Sequence, residues 1–316
     1  MVGKDDKGRE LMTRTLTKGK LGSTRIRKAS NYLFVAPAVI FIALLMLYPL
    51  LYNFYISMRD VNVGTFLTGT SSFVGLRNYR AVIGDPAFAH SVLISFIFTG
   101  GSLLFQFIIG FALALFFQRP FPGSGIMRAF LLLGWLMPLV VSASIWKWLF
   151  DGDYGVTNYL LQSLGLLDKH QYWLSDPQTA LPGVIVANIW LGIPFNTVLL
   201  LTGLQAISVS LYEAAKVDGA NGWQRFLHIT LPQMRPVSLT VLLLGFIYTF
   251  KVFDLIFVMT AGGPADATTT LPIFTYNQTF KFYQFGTGAA AASLLLLISL
   301  ALSIVYLLLI RREEAA

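Results

Sequence analysis

The sequence predicts an all-α integral membrane protein with six transmembrane helices, and two observations support this fold class. Apolar residues make up 55% of the 316-residue chain and charged residues only 12%, a balance too apolar for a soluble protein of this length. The chain also contains six apolar segments, each long enough to cross the hydrocarbon core, which takes about 20 helical residues. These segments lie at about 31–58, 91–117, 127–150, 180–203, 236–260 and 286–310.

The distribution of basic residues predicts how these spans are oriented. Sixteen of the 23 lysines and arginines lie in the N-terminal tail, in the loops after the second and fourth spans, and at the C-terminus. Cytoplasmic segments of membrane proteins carry an excess of such residues, so both termini are predicted to be cytoplasmic. The net charge of +8 follows from this topology and requires no nucleic-acid partner.

The two ends of the chain are predicted to be tails that flank a six-span domain at 31–310. Residues 1–30 are polar and basic, which is typical of a disordered cytoplasmic tail, although attraction to anionic lipid is an alternative. The apolar run that follows exceeds 20 residues and has no small-residue cleavage site, so we expect a retained first span and no removed signal peptide. Residues 311–316 are predicted to form a short cytoplasmic tail.

The sequence offers no catalytic or metal-binding constellation. It has no cysteine, which excludes disulfides, thiolate metal sites and cysteine nucleophiles. His90, His170 and His228 fall in separate loops on opposite predicted sides of the membrane, so no metal site is expected. Asp151 and Asp153 fit a solvated turn better than a catalytic pair, because no base accompanies them. The glycine-lysine motif of a P-loop is also missing, and the chain is therefore predicted not to be an enzyme.

A polar loop at 204–235 separates the fourth and fifth predicted spans. Ser210 stands three residues before Glu213, and this spacing predicts a capping box at the start of a helix. Gly219 can adopt the left-handed conformation that ends such a helix. A second short helical turn is expected at 223–228, with the following prolines limiting its continuation. An ordinary helical hairpin and a DNA-reading helix-turn-helix share this outline, but the flanking spans and the lack of a dense basic face disfavour DNA.

The loop resembles the EAA loop of permease subunits in binding-protein-dependent ABC importers. The residues that match in order and spacing are Glu213, Ala214, Ala215, Asp218, Gly219, Ile229, Leu231 and Pro232. After the fifth predicted span, the segment Thr260-Ala-Gly-Gly-Pro264 is similar to a segment of the maltose-type carbohydrate-uptake permeases. With weaker motifs elsewhere, the resemblance extends over residues 31–310.

This resemblance implies a permease subunit of the inner membrane that translocates a sugar or oligosaccharide by alternating access. The implied partners are a second homologous permease, two ATPase subunits, an extracytoplasmic substrate-binding protein, the lipid bilayer and the carbohydrate itself. In such importers the loop forms a coupling helix that seats on the ATPase. ATP and Mg would be bound by that ATPase, and no cofactor is expected in this chain.

Two other functions remain open at this stage. The same machinery could carry a non-sugar solute such as a glycerol phosphate, a polyol or a compatible solute, and the ligand of the cognate binding protein would decide between them. A membrane channel or a membrane-embedded enzyme is disfavoured by the missing catalytic cluster. Transport without nucleotide would revive it.

Polar residues within the spans mark a candidate solute pathway, because a central charge costs about 2.5–3.5 kcal/mol on insertion scales. Lys251 and Asp254 are predicted to share a helix face in the fifth span, where they could pair with each other or line a cavity. Phe250 and Phe253 adjoin them and could stack on the C–H faces of a sugar, although packing in the protein core is the alternative.

The fourth span supplies a second candidate wall. Asn188 and Asn196 can donate and accept hydrogen bonds, and Trp190 offers a flat apolar face. Pro194 loosens the helix between them, which membrane proteins tolerate where a helix lines a cavity. Helix–helix contact for Asn188 and interfacial anchoring for Trp190 are the structural alternatives.

Overall fold

The computed structural model of this chain describes residues 35–314, with side chains through residue 308, so the predicted tail at 1–30 lies outside the described residues. In chain order the helices are α1 (Val35–Ser57), α2 (Val63–Thr68), α3 (Arg77–Ile83), α4 (Pro86–Gln118), α5 (Ser124–Leu136), α6 (Leu139–Leu149), α7 (Val156–Ser163), α8 (Pro177–Ala206), α9 (Val209–Val217), α10 (Gly222–Phe250), α11 (Asp254–Met259), α12 (Leu271–Tyr276) and α13 (Phe285–Glu314). Helix α1 up to Tyr55 belongs to one structural unit, and the remaining described residues form the second unit, which contains all the sites below.

Five described helices, α1, α4, α8, α10 and α13, are long and apolar enough to cross a membrane, and α5 with α6 makes a sixth if the bent pair is one span. The all-α, multi-span prediction is confirmed. The third span is not the straight helix predicted at 127–150, because α5 and α6 meet at an angle of 97°. Met137 adopts an extended conformation before Pro138, and a residue before proline is disfavoured in the helical region. The helix therefore ends there and restarts after the proline.

The fifth span also differs from its predicted bounds of 236–260. Helix α10 begins at Gly222 and ends at Phe250, so its two prolines lie inside the helix and do not stop it. A wide, π-helical turn at Phe226–Thr230 precedes the first proline, and the Leu231 amide donates to the Phe226 carbonyl across it. This wider spacing shifts the carbonyl that the ring of Pro232 would otherwise meet, which is why the helix continues.

Helices α4 and α8 pack along each other and form the centre of the second unit. The buried face of α4 carries small polar side chains, including Ser91, Ser95 and Ser102, which allow close approach of neighbouring helices. The helices also approach closely at Gly110, where an added Cβ would lie 2.7 Å from the Cβ of Asn196. A bulkier residue at that position would push the two helices apart.

Helix α13 runs beyond the predicted sixth span at 286–310. It continues through Arg311 and Arg312 to Glu314, so most of the segment predicted as a C-terminal tail is helical. Gly288 lies near its start, where an added side chain would collide with Thr279. This crowding agrees with the close helix packing that small residues permit.

Candidate solute cavity and coupling loop

A cavity of about 520 Å³ lies between α4, α5, α8 and α10, at the point where α10 ends and α11 begins. We call it the Asn188 cavity. Five of the predicted pathway residues line it, namely Asn188, Asn196, Lys251, Phe253 and Asp254. The sequence places these residues in two separate spans, and the fold brings them to one site.

Among the residues that line this cavity, Asn188 has a side chain whose hydrogen bonding is incomplete. Its side chain is only 6% exposed, and its Nδ2 atom has no hydrogen-bond partner among the described residues. A buried donor without a partner costs about 1–3 kcal/mol, so it calls for an explanation. Since Asn188 lines the cavity, a polar solute there can accept this hydrogen bond.

Two further amides support the wall of the cavity on α8. Gln106 on α4 donates from Nε2 to the Asn188 carbonyl at 2.8 Å and packs so closely on Gly192 that no side chain would fit there. Asn196 donates from Nδ2 to the Gly192 carbonyl at 2.9 Å, which uses one of its two amide hydrogens and leaves the other, together with the side-chain oxygen, for a ligand. Sequence reasoning missed Gln106, although a glutamine in the middle of a 33-residue apolar helix was an available signal.

The prediction that Lys251 and Asp254 share a helix face is wrong. Lys251 caps the end of α10 with φ −99° and ψ 7°, and Asp254 is the first residue of α11. Among the described side chains no salt bridge joins them, and the Lys251 Nζ lies 5.3 Å from the centre of the Tyr248 ring. The break in the helix separates the two charges and leaves both side chains exposed at the cavity.

The structure gives Phe250 and Trp190 packing contacts outside the lining of this cavity. Phe250 is 2% exposed and stacks on Phe246 with ring centres 5.2 Å apart. Trp190 packs over Gly134 and meets Trp146 edge to face. Their predicted contact with a solute is not supported by this geometry.

Other aromatic residues line the Asn188 cavity in their place. Trp135, next to the bend between α5 and α6, lies 5.9 Å from the ring centre of Phe195, which lies 6.0 Å from that of Tyr248. These rings provide flat apolar faces beside the polar groups. Sequence reasoning missed them because the bend that brings Trp135 to the cavity was not predicted.

The coupling loop predicted at 204–235 contains α9, a short connection and the first turns of α10. Helix α9 begins after Ser208, without a hydrogen bond from a capping side chain, and Ser210 lies inside its first turn. The predicted capping box between Ser210 and Glu213 is therefore wrong. A capping box forms instead at the start of α10, where the Asn221 amide donates to Gln224 at 2.8 Å and the Gln224 amide donates back at 2.9 Å.

The end of α9 agrees with the prediction for Gly219. This residue has φ +80°, the left-handed region that favours glycine. The Ala220 amide donates to the Ala215 carbonyl at 2.8 Å and the Gly219 amide to the Lys216 carbonyl at 3.1 Å, which together form a Schellman motif after the cap residue Asp218. No described atom lies within 4 Å of the Cβ position of Gly219, so this side of the turn is open.

The coupling loop is exposed on one side and braced on the other. Glu213 and Ala214 are exposed, and Val217 is 89% exposed, which is unusual for an apolar side chain. On the braced side, the Tyr212 hydroxyl lies 2.9 Å from the Thr230 hydroxyl in the wide turn of α10. Ile229 is half-buried in that turn, whereas Leu231 and Pro232 are exposed just beyond it.

A line of aromatic contacts extends this bracing into the membrane helices. Trp223 stacks on Phe226 with ring centres 5.6 Å apart, and Phe226 meets Phe111 of α4 at 6.2 Å. These rings therefore connect the coupling loop to α4 as well as to the rest of α10. The two helices also contribute Tyr248 and Gln106 to the lining of the Asn188 cavity.

Comparison with known proteins gives the family. Residues 106–314 match the family model of the binding-protein-dependent transport system inner membrane component. The trehalose/maltose transport system permease protein of Thermococcus litoralis is 37% identical over 88% of this chain and 92% of its own length. The diacetylchitobiose uptake system permease protein of Streptomyces coelicolor is 31% identical over 94% of this chain and 93% of its own length.

The fold has solved relatives as well. One is a chain of a bacterial alginate ABC transporter in complex with an alginate pentasaccharide-bound periplasmic protein, with a TM-score of 0.77 and 21% identity over 91% of this chain and 96% of that one. The chain belongs to the family of binding-protein-dependent transport system inner membrane components. It is a multi-pass membrane permease subunit of an ABC importer.

Proposed function

We propose that this permease imports a sugar or oligosaccharide in an ATP-driven, alternating-access cycle. The observation that carries the proposal is the unpaired, buried Asn188 amide in a cavity that also offers aromatic faces and two charged groups. The names of two relatives, which transport trehalose or maltose and take up diacetylchitobiose, support a saccharide as the solute.

The lining of the Asn188 cavity matches what a hydroxyl-rich solute requires. Sugar hydroxyls both donate and accept, and the cavity offers the Asn188 donor, the Asn196 oxygen, the Lys251 ammonium and the Asp254 carboxylate. The apolar C–H faces of a sugar ring can lie against Phe253 or the other rings of the lining. Few polar groups placed among apolar ones are typical of small-molecule sites.

The coupling loop supports a mechanical link to an ATPase. In the proposed complex, two ATPase subunits bind ATP with Mg, and the exposed residues from Glu213 to Pro232 seat on one of them. A second permease and a binding protein outside complete the assembly, and both termini of this chain lie in the cytoplasm. Closure of the ATPase would move α9, and the Tyr212–Thr230 contact would carry this motion to α10.

One observation favours a second class of solute. The Lys251 ammonium has no acidic partner within salt-bridge distance among the described side chains, and it faces the cavity. An anionic group such as the phosphate of a glycerol phosphate could bind there. Competition for uptake between neutral sugars and glycerol phosphate would separate the two solutes.

Substitution of Asn188 tests the proposed site. In proteoliposomes that contain the complete transporter and its binding protein, Asn188→Leu should lower uptake of labelled trehalose or maltose at least about tenfold, because the solute loses a hydrogen bond to a buried donor. Assembly and basal ATP hydrolysis should persist. Thr202→Val is the matched control, since Thr202 lies on the same helix, is exposed and bonds only within that helix. Normal uptake by the Asn188→Leu variant would overturn the assignment.

A further inference from the structure

A second cavity, of about 530 Å³, lies at the other end of α11 from the Asn188 cavity. We call it the Tyr172 cavity. Its lining includes Lys147 at the end of α6, the turn residues Asp151 and Asp153, Tyr172, and Phe257 of α11. The loop that contributes Tyr172 runs from the end of α6 to the start of α8, whereas the coupling loop follows the opposite end of α8. This cavity therefore opens on the side predicted to face outward.

A stack of aromatic rings joins the two cavities. Phe253 lines the Asn188 cavity and Phe257 lines the Tyr172 cavity, and their ring centres are 5.0 Å apart at an interplanar angle of 21°. Tyr276 contacts both rings, at 5.1 Å from Phe253 and 4.9 Å from Phe257. Phe257 remains 36% exposed although it sits in this cluster. The three rings therefore form a line of aromatic contacts between the linings of the two cavities.

The polar side of the Tyr172 cavity is held in a defined geometry. The Tyr172 hydroxyl donates to Asp153 at 2.8 Å, and its ring lies so close over Gly152 that no side chain would fit there. The hydrogen bond to Asp153 raises the pKa of Tyr172 above its ordinary value, because it stabilises the protonated phenol. Asp151 accepts the backbone amides of Asp153 and Tyr154 with one oxygen, which fixes the turn.

This geometry leaves acceptors and a cation available to a ligand. The second oxygens of Asp151 and Asp153 have no hydrogen-bond partner among the described residues, and no described acid lies within salt-bridge distance of Lys147. Carboxylate acceptors, one ammonium donor and an exposed ring suit a neutral solute with many hydroxyls. An anionic solute would meet two carboxylates at the same place.

The wall formed by the segment after α11 is also fixed. Ala261 has φ +53°, which is uncommon for a residue with a side chain. Contacts within the segment hold it in place, since the Thr260 and Thr268 hydroxyls lie 2.7 Å apart and the Thr269 hydroxyl donates to the Gly262 carbonyl at 2.9 Å. Thr260 and Ala261 line the Tyr172 cavity, so that side of the cavity is formed before any ligand binds.

We propose that the Tyr172 cavity is a second saccharide subsite, from which a neutral sugar passes to the Asn188 cavity along the Phe257 and Phe253 rings. The inference rests on the proposed function, because it requires that the permease carry a sugar. It adds a residence site for the solute between the binding protein and the Asn188 cavity. It also gives the charged turn after α6 a role, namely to bind sugar hydroxyls. This turn does not line the Asn188 cavity.

Uptake kinetics test the subsite in the complete transporter with its binding protein, with labelled trehalose, maltose and diacetylchitobiose as probes. Phe257→Leu removes the stacking face and Tyr172→Phe removes the hydroxyl, and each should lower the maximal uptake rate by about 3- to 10-fold. Tyr159→Phe and Phe282→Leu are matched controls, because both side chains are exposed and neither lines this cavity. Both control variants should transport at the wild-type rate.

A labelling experiment tests occupancy directly, because the native chain has no cysteine. Ser175→Cys places a thiol in the Tyr172 cavity, and transported sugar should slow its reaction with a thiol reagent about 3-fold or more relative to sugar-free conditions, by mass action. Ser163→Cys is the control, since Ser163 lies in the same loop region at the end of α7 and does not line this cavity. Sugar should leave its labelling rate unchanged.

The outcomes separate the subsite from the proposed function. The subsite alone is overturned if the wild-type transporter takes up sugar, the Phe257 and Tyr172 variants transport at normal rates, and sugar does not protect the thiol at position 175. If the empty binding protein associates more weakly with these variants and sugar again gives no protection, the cavity is a protein docking site. That result also overturns the subsite. Failure of the wild-type transporter to take up any of the three sugars overturns the proposed function, and the subsite with it.

Discussion

The turn at Gly219 and the break at Lys251 both end a helix, but different forces hold them. Gly219 ends α9 through its own left-handed backbone and two local hydrogen bonds, with open space around it. Lys251 ends α10 with no glycine or proline between it and Asp254. That break is flanked by side chains that pack in the protein interior, among them Phe250 before it and Leu255 and Ile256 after it.

This contrast indicates how each region responds to change. A turn that is fixed by local hydrogen bonds keeps its shape when the membrane helices move. This property suits a coupling loop that must transmit force. A break fixed by tertiary packing depends on its neighbours, so the charges beside it can change position when those helices rearrange. The coupling loop is therefore the stiff part of the proposed mechanism, and the break beside the Asn188 cavity is the responsive part.

The largest effect is expected at Gly219. A valine there must adopt φ near +80°, which costs about 1–2 kcal/mol for a residue with a β-carbon, and its side chain would project into the open side of the turn. Gly219→Val should insert into the membrane normally but lose almost all uptake, because the turn no longer fits its partner. Parallel assays of membrane content, subunit recovery and uptake check this expectation.

Gly222→Val is the matched control for that experiment. Gly222 also has open space at its Cβ position but lies in the first turn of α10 without a positive φ. Equal uptake by the Gly219 and Gly222 variants would show that the left-handed turn has no part in coupling.

A smaller effect is expected for the charges at the break. Lys251→Met and Asp254→Asn should each lower uptake several-fold, because both side chains line the Asn188 cavity. Their effects on stability should simply add, because no salt bridge joins the two residues in the described structure. A double-mutant cycle on thermal unfolding of the detergent-solubilised transporter should give an interaction energy below about 0.5 kcal/mol. An interaction energy of 2 kcal/mol or more, on the order expected for a buried ion pair, would restore the paired arrangement.

The smallest effect is expected at the caps of the coupling loop. Asn221→Ala removes a capping box and should destabilise the start of α10 by about 1 kcal/mol. Ser210→Ala is the matched control, because Ser210 lies inside the first turn of α9 and caps nothing. Amide hydrogen exchange at 222–226 should increase in the first variant only. Faster exchange at the start of α9 in the second would restore the capping box predicted there.

The same contrast explains what the sequence could predict. The spans follow from apolar runs, and the end of α9 follows from Gly219, because both signals are local. The break at Lys251, the wide turn at Phe226–Thr230 and the bend that brings Trp135 to the cavity depend on contacts between distant helices. As a result, the sequence predicted Asn188 and Lys251 as pathway residues but not Gln106.

The bend at Pro138 is an instructive intermediate case. Its signal is present in the sequence, since a proline biases the residue before it away from the helix. Pro182 and Pro194 carry the same signal, yet both lie inside the continuous helix α8. Which proline breaks a helix therefore depends on packing, and the pattern alone could not identify the bent span.

Coupling of sugar transport to ATP is tested by the nucleotide dependence of transport by the complete wild-type importer in proteoliposomes. We expect a labelled sugar to accumulate only when the sugar-loaded binding protein is outside and ATP with Mg is inside. Replacement of ATP by a non-hydrolysable analogue should abolish accumulation. Sustained sugar uptake without nucleotide would contradict ATP-driven import, because the coupling loop would then have no force to transmit.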